Sequence, residues 1–152
     1  MAAQNTNGSN TIQLDHEAGD FISDEALATA VALYPGMLVE KTSTGAVQAH
    51  STAGGWSERT IVQEDALQGK NVTEAYDASG RVFFNRVRRG ARSLMILFAG
   101  ENVAIGAELI SDGSGRVIAT TGTPEETVAI ADEALDLSGS GAVDTLIRVR
   151  VI

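Results

Sequence analysis

Glu108-Leu-Ile-Ser-Asp-Gly-Ser-Gly-Arg-Val-Ile-Ala-Thr120 decides the fold class. Its centre, Asp112-Gly113-Ser114-Gly115, is turn chemistry: Gly accepts positive φ at no steric cost, and Asp hydrogen-bonds its own backbone. The flanks Glu108–Ser111 and Arg116–Thr120 are short runs rich in Leu, Ile and Val. Two such runs around a Gly-bearing turn predict a β-hairpin.

The same texture continues upstream. Met37–Lys41 and Ala46–His50 flank Ser43-Thr44-Gly45, a second hairpin. Ala53-Gly54-Gly55 is a loop, and Thr60–Gln63 reads as a short strand. Asp77-Ala-Ser-Gly80 and Arg89-Gly90 are turns around Arg81–Val87, and Ser93–Phe98 has the densest apolar content in the chain. Downstream, Thr127–Ala131 is β-like and Leu137–Gly141 is a Ser/Gly loop. In Thr145–Ile152 the side chains alternate: Ile147, Val149 and Val151 take one face, and Arg148 and Arg150 share the other with Leu146 and Ile152.

Three segments carry a helical signal. Glu64–Gln68 fits one turn stopped by Gly69. Thr123-Pro124-Glu125-Glu126 has capping-box spacing and predicts a brief helix. Ser23–Ala32 suits either helix or strand, and a strand over Thr29–Leu33 is favoured. No internal repeat is legible. Strands spaced about 8–12 residues apart and split by Gly-rich turns predict a mainly β chain, a small antiparallel β-barrel or β-sandwich with short helical turns.

Composition agrees. Of the 152 residues 43% are hydrophobic but only 5% aromatic, and 16 are Gly, so the core is built from small and β-branched parts. The division expected is an extended or flexible N-terminal arm over residues 1–22 and one β-rich domain over 23–152. Met1–Asn10 is polar, without the apolar segment of a secretory signal, and no stretch approaches the roughly 18 apolar residues of a membrane span. No membrane role is expected.

Chemistry is sparse. The chain has no Cys, which excludes thiolate metal sites and cysteine nucleophiles. His16 and His50 lack a second His or Cys at ligand spacing, Gly139-Ser140-Gly141 is no dinucleotide fingerprint, and no nucleophile elbow is present. No catalytic, metal or cofactor-binding residues are assigned, and the chain is read as a non-enzyme. A cleft gathering His50 with two carboxylates would reopen the question.

Charge points to partners. The net charge is −9, which opposes direct nucleic-acid binding. Residues 1–80 carry three basic and eleven acidic side chains; residues 81–152 carry eight and nine. Four of the eleven basic residues, Arg86, Arg88, Arg89 and Arg92, fall within seven positions. Such a cluster suits pairing with carboxylates of a neighbouring subunit. Ile12 and Leu14, apolar residues in the polar arm, and Trp56, in Gly54-Gly55-Trp56-Ser57, complete the candidate interface.

The order of these turns resembles that in decoration (cement) proteins of tailed-bacteriophage heads. Tyr34-Pro-Gly-Met-Leu-Val-Glu40 precedes Thr44-Gly-Ala-Val47, then Gly69-Lys70, Ala75-Tyr-Asp77 and Val82-Phe-Phe84. Gly100–Ile110, Ser111-Asp-Gly-Ser-Gly115 and Val128–Ala134 follow, so the likeness spans about residues 27–152. The resemblance implies a small β-barrel-like subunit that binds the outer surface of a phage capsid and stabilises contacts between major capsid protein subunits. It implies a homo-oligomer, a trimer on local three-fold axes, with a terminal arm reaching a neighbour, found on the virion after synthesis in the host cytoplasm. The competing expectation is a head-surface receptor- or glycan-binding module, with Trp56, Tyr34 and Tyr76 as its aromatic platform.

Overall fold

Short alternating runs bounded by glycine turns form strands here because each can bury one face and hand its backbone groups to a neighbour. The computed structural model describes residues 2–152, with strands β1 (Gln4–Asn5), β2 (Phe21–Leu27), β3 (Leu38–Lys41), β4 (Val47–Ala49), β5 (Thr60–Val62), β6 (Arg81–Val87), β7 (Arg92–Leu97), β8 (Asn102–Val103), β9 (Glu108–Ser111), β10 (Val117–Ala119), β11 (Thr127–Ala131), β12 (Leu135–Asp136) and β13 (Thr145–Val151). The only helix among the described residues is a 3-10 turn, Ala66–Gln68, ended by Gly69 in the left-handed region as expected. The expected β-barrel class holds.

The strands make two barrels side by side. In the second, β13, β11, β9, β10 and β7 pair in that order, and β7 pairs with β13 again to close the ring. In the first, β2, β6, β5, β3 and β4 form an antiparallel sheet, and a parallel bridge between Ala28 and Val47 joins its ends. The short β8–β12 pair stands apart.

The barrels are copies of one design. In the first, Val39 pairs with Ala49 and with Thr60; in the second, Leu109 pairs with Ala119 and with Ala129. Thr29 N donates to Val47 O at 3.0 Å, and Phe98 N donates to Val117 O at 3.0 Å. Gly36 N donates to Val62 O and Met37 N to Tyr34 O; Gly106 N donates to Ala131 O and Ala107 N to Ala104 O. Every matched pair is displaced by 69 or 70 positions. The chain therefore contains a tandem repeat that its sequence does not announce.

Two expectations are corrected. Thr29–Leu33 is not a strand; the strand lies earlier, at Phe21–Leu27, because those residues match β6 in register along their whole length. Thr123–Glu126 forms no helix. Glu125 instead accepts from Thr121 N at 2.9 Å and from the Thr120 hydroxyl at 3.0 Å, holding a loop. In β13, Leu146 is fully buried although it shares a face with Arg148, because it lies against the neighbouring barrel at Gly36.

Residues 4–15 lie along the second barrel. Gln4 and Asn5 pair in parallel with Thr145 and Leu146. Further on, Leu94 N donates to Ile12 O at 2.8 Å and Leu14 N to Arg92 O at 3.2 Å, adding a strand-like segment to the outer edge of β7. Ile12 is wholly buried, which contributes about 1.5–3 kcal/mol for a side chain of its size.

Candidate functional site

The arginine cluster starts from the β6–β7 turn. Alternation along β6 sends Val87 inward and Arg86 outward, and Arg88 and Arg89 occupy the turn before Gly90. Around them opens a cleft of about 620 Å³, shaped by Phe21 and Ile22 of β2, Glu58 and Arg59, and the chain end Val151–Ile152. Ile22 is 66% exposed, so the cleft combines apolar surface with positive charge.

The arginines are not equivalent. Arg92 leaves the cluster: its Nη2 and Nε lie 2.8 and 3.1 Å from Asp15 Oδ1. Those hydrogen bonds hold the Asp15 carboxyl below the usual carboxylate range and raise the guanidinium further. Asp15 thereby anchors the arm, with its Oδ2 also accepting from Arg92 N at 2.8 Å. Arg86 pairs with Glu58 at 2.9 Å across the cleft. Arg59 was not singled out by sequence, yet it pins the cleft. It sits at φ 57°, donates to Ser57 O, to Ile152 O at 2.9 Å and to Glu126 at 2.6 Å.

Arg88 and Arg89 differ from the rest. Nine of the eleven basic side chains (Lys41, Arg59, Lys70, Arg81, Arg86, Arg92, Arg116, Arg148 and Arg150) make ion pairs, and among the described residues only these two make none. On a protein whose charges are otherwise paired or negative, they are the cations free to meet a partner. A guanidinium in this position favours a carboxylate, which it binds through two parallel N–H donors.

The remaining candidates fall elsewhere. Ile12 is buried inside its own chain and Leu14 packs against the core, so both serve the arm's own docking. Trp56 is 68% exposed. Tyr76 does not join it: it is buried in the first barrel and its hydroxyl donates to Gln63 O at 2.9 Å, while burial pushes the phenol well up. Tyr34 is half-buried against the core. The aromatic platform expected from three residues reduces to Trp56.

A second, smaller cleft does gather His50 with Glu40 and Glu58 below Trp56. His50 is almost fully buried, and both ring nitrogens are taken. Nε2 lies 2.9 Å from Trp56 O, an acceptor, and so carries the proton; Nδ1 then accepts from the Ser111 hydroxyl at 2.8 Å. Ser111 Oγ in turn accepts from Gly113 N at 3.1 Å. The imidazole is a strut joining the two barrels. Burial raises the Glu40 carboxyl, but hydrogen bonds from Ser51 and Gln48 outweigh it and leave it below its ordinary value. Among the described residues no three His, Asp or Glu side chains are grouped to hold a metal.

No family model matches the chain. No curated protein matches it either. Among solved structures, the head fiber gp8.5 N base of bacteriophage phi29 is similar in fold. The superposition has a TM-score of 0.55 at 11% sequence identity, and it covers 87% of this chain and 94% of the other. At that identity the likeness speaks for the fold: nearly the whole two-barrel chain is matched.

Proposed function

We propose that this chain is a structural protein of a phage head, a decoration (cement) protein that binds the outer capsid surface and stabilises contacts between major capsid protein subunits. The observation that carries the reading is the fold shared with a phage head fiber base over nearly its full length. Arg88 and Arg89, unpaired beside the apolar Ile22, supply a docking chemistry: a partner carboxylate flanked by an aliphatic side chain. The protein acts on the virion as a homo-oligomer, a trimer. Its work is linkage: a subunit that binds the assembled lattice and not the dispersed one stabilises the lattice by mass action. Melting capsids with and without the bound protein tests this. A higher melting temperature with it is expected, and an unchanged one sinks the stabilising role.

A second reading has one observation behind it. Trp56 presents most of its ring to solvent at the rim of the His50 cleft, a place where a sugar face could stack. A glycan array decides: binding that disappears in Trp56→Ala supports a receptor-binding head module.

A further inference from the structure

The barrels meet through an asymmetric contact, and each barrel carries the unused half of it. Within the chain, the Tyr34–Gly36 turn of the first barrel lies on the outer edge of β7. Ile96 N donates to Gly36 O at 3.1 Å, and Leu38 N donates to Gly115 O at 2.8 Å. Pro35 and Gly36 are buried there, so tightly that a Cβ on Gly36 would come within 2.6 Å of Leu146 Cδ2.

The repeat identifies the counterpart of each group. Leu27 stands where Ile96 does, Gly45 where Gly115 does, Gly106 where Gly36 does, and Glu108 where Leu38 does. All four are bare. Leu27 is 55% exposed and Ile105, the counterpart of Pro35, 73% exposed. A Cβ on Gly45 or Gly106 would meet nothing within 4 Å. Along β2, Ala28 N donates to Gly80 O and Arg88 N to Asp20 O, so alternate positions face β6 and Ser23, Glu25 and Leu27 face outward. Among the described residues, Leu27 N, Glu108 N, Gly45 O and Gly106 O make no backbone hydrogen bond outside the strand ladders, and Leu27 N lies on the side of β2 away from β6.

We propose that a second copy of this chain completes the contact, head to tail. The Ile105–Gly106 turn of one copy lies on the β2 edge of the next, Leu27 N donates to Gly106 O, and Glu108 N donates to Gly45 O. A second copy is the occupant because the two vacant donors and two vacant acceptors are those of a contact the chain already makes with itself. The side chains fit as well. Arg81, which pairs with Glu25 at 3.0 Å, takes the register place of Leu146 in the floor, and Glu108 takes that of Leu38, so two buried apolar positions of the internal contact become charged ones of opposite sign. Leu27 meets Ile105. The contact is more polar than the internal one, as suits separate chains. Such heterologous association closes into a ring or extends into a row, and in a ring every chain contributes two barrels. The inference deepens the self-association proposed above and does not involve the arginine cleft.

The absence of cysteine makes the test clean. Light scattering of the full chain, without capsids, should give a mass of two or more chains. A variant carrying Leu27→Cys and Ile105→Cys should yield covalent multimers with a short bis-maleimide, and either single variant should not, because the contact sets residue 27 beside residue 105 and not beside itself. Ile105→Glu should weaken assembly at least about tenfold while leaving the thermal melt of the dilute chain unchanged. A monomer at every concentration, single variants that cross-link as well as the double, or unaltered assembly of Ile105→Glu each overturn the inference. Co-sedimentation with capsids is measured separately: a monomer that still binds capsids overturns this contact alone, and an oligomer that binds none overturns the capsid reading alone.

Discussion

Gly36→Ala and Gly106→Ala form an experiment in which the chain supplies its own control. The two glycines occupy the same turn of the two barrels, at φ +86° and +88°. An alanine in either place costs about 1–2 kcal/mol for holding an L side chain in the left-handed region. Only Gly36 is covered. Its Cβ would lie 2.6 Å from Leu146 Cδ2 and 3.3 Å from Ile96 Cγ1, both in fully buried side chains that cannot swing to solvent. Overpacking of that kind adds about 1–3 kcal/mol. Gly36→Ala should therefore destabilise by about 2–5 kcal/mol and Gly106→Ala by about 1–2 kcal/mol. Urea unfolding of the dilute chain, followed by far-ultraviolet circular dichroism, reads the difference. With m about 2 kcal/mol/M the two midpoints should separate by about 0.5–1.5 M. Equal midpoints would refute the tight inter-barrel contact and the equivalence of the two turns.

Further outcomes follow from the same geometry. Ile12→Ala should cost about 2–5 kcal/mol, since it empties a fully buried site, and should raise amide exchange at Leu94, whose N–H donates to Ile12 O; exchange and stability like the parent would mean the arm is not part of the fold. Asp15 is held below its ordinary value by Arg92, so its contribution is complete above an unfolded pKa of about 3.9 and fades as pH falls through the lower folded value. Hydrogen exchange at Leu14 and Asp15 should therefore rise below about pH 4, with Asp15→Asn showing the faster exchange already at neutral pH; a pH-independent arm contradicts this. Arg88→Glu with Arg89→Glu should leave the melt within about 0.5 kcal/mol of the parent, since neither residue makes an ion pair, yet reduce capsid binding and its salt dependence. Retained binding would move the docking site elsewhere.

Much of the strand content is local and was legible. Arg81–Val87, Glu108–Ser111 and Thr127–Ala131 are strands with the bounds that alternation and turn chemistry predict. The arginine cluster was legible too, but not its division. Asp15, 77 positions from Arg92, captures that residue, and Arg59 reaches Ile152 across 93 positions. Neither pairing leaves a trace in sequence spacing. β2 was misplaced because Phe21–Leu27 carries mostly exposed residues, and its strand character comes from pairing with β6 rather than from its own pattern.

The tandem repeat marks the boundary between the two kinds of information. Where the chain turns and which short runs are extended are local matters, because glycine conformation and side-chain alternation are properties of a few neighbouring residues. The registers shared by the two barrels, the docking of the arm on β7 and the isolation of Arg88 and Arg89 were decided only in three dimensions. Barrel closure is a set of backbone hydrogen bonds between distant strands. Those bonds ask for matching register and not for matching side chains, so Leu146 and Arg81 can stand in equivalent places while the architecture is kept.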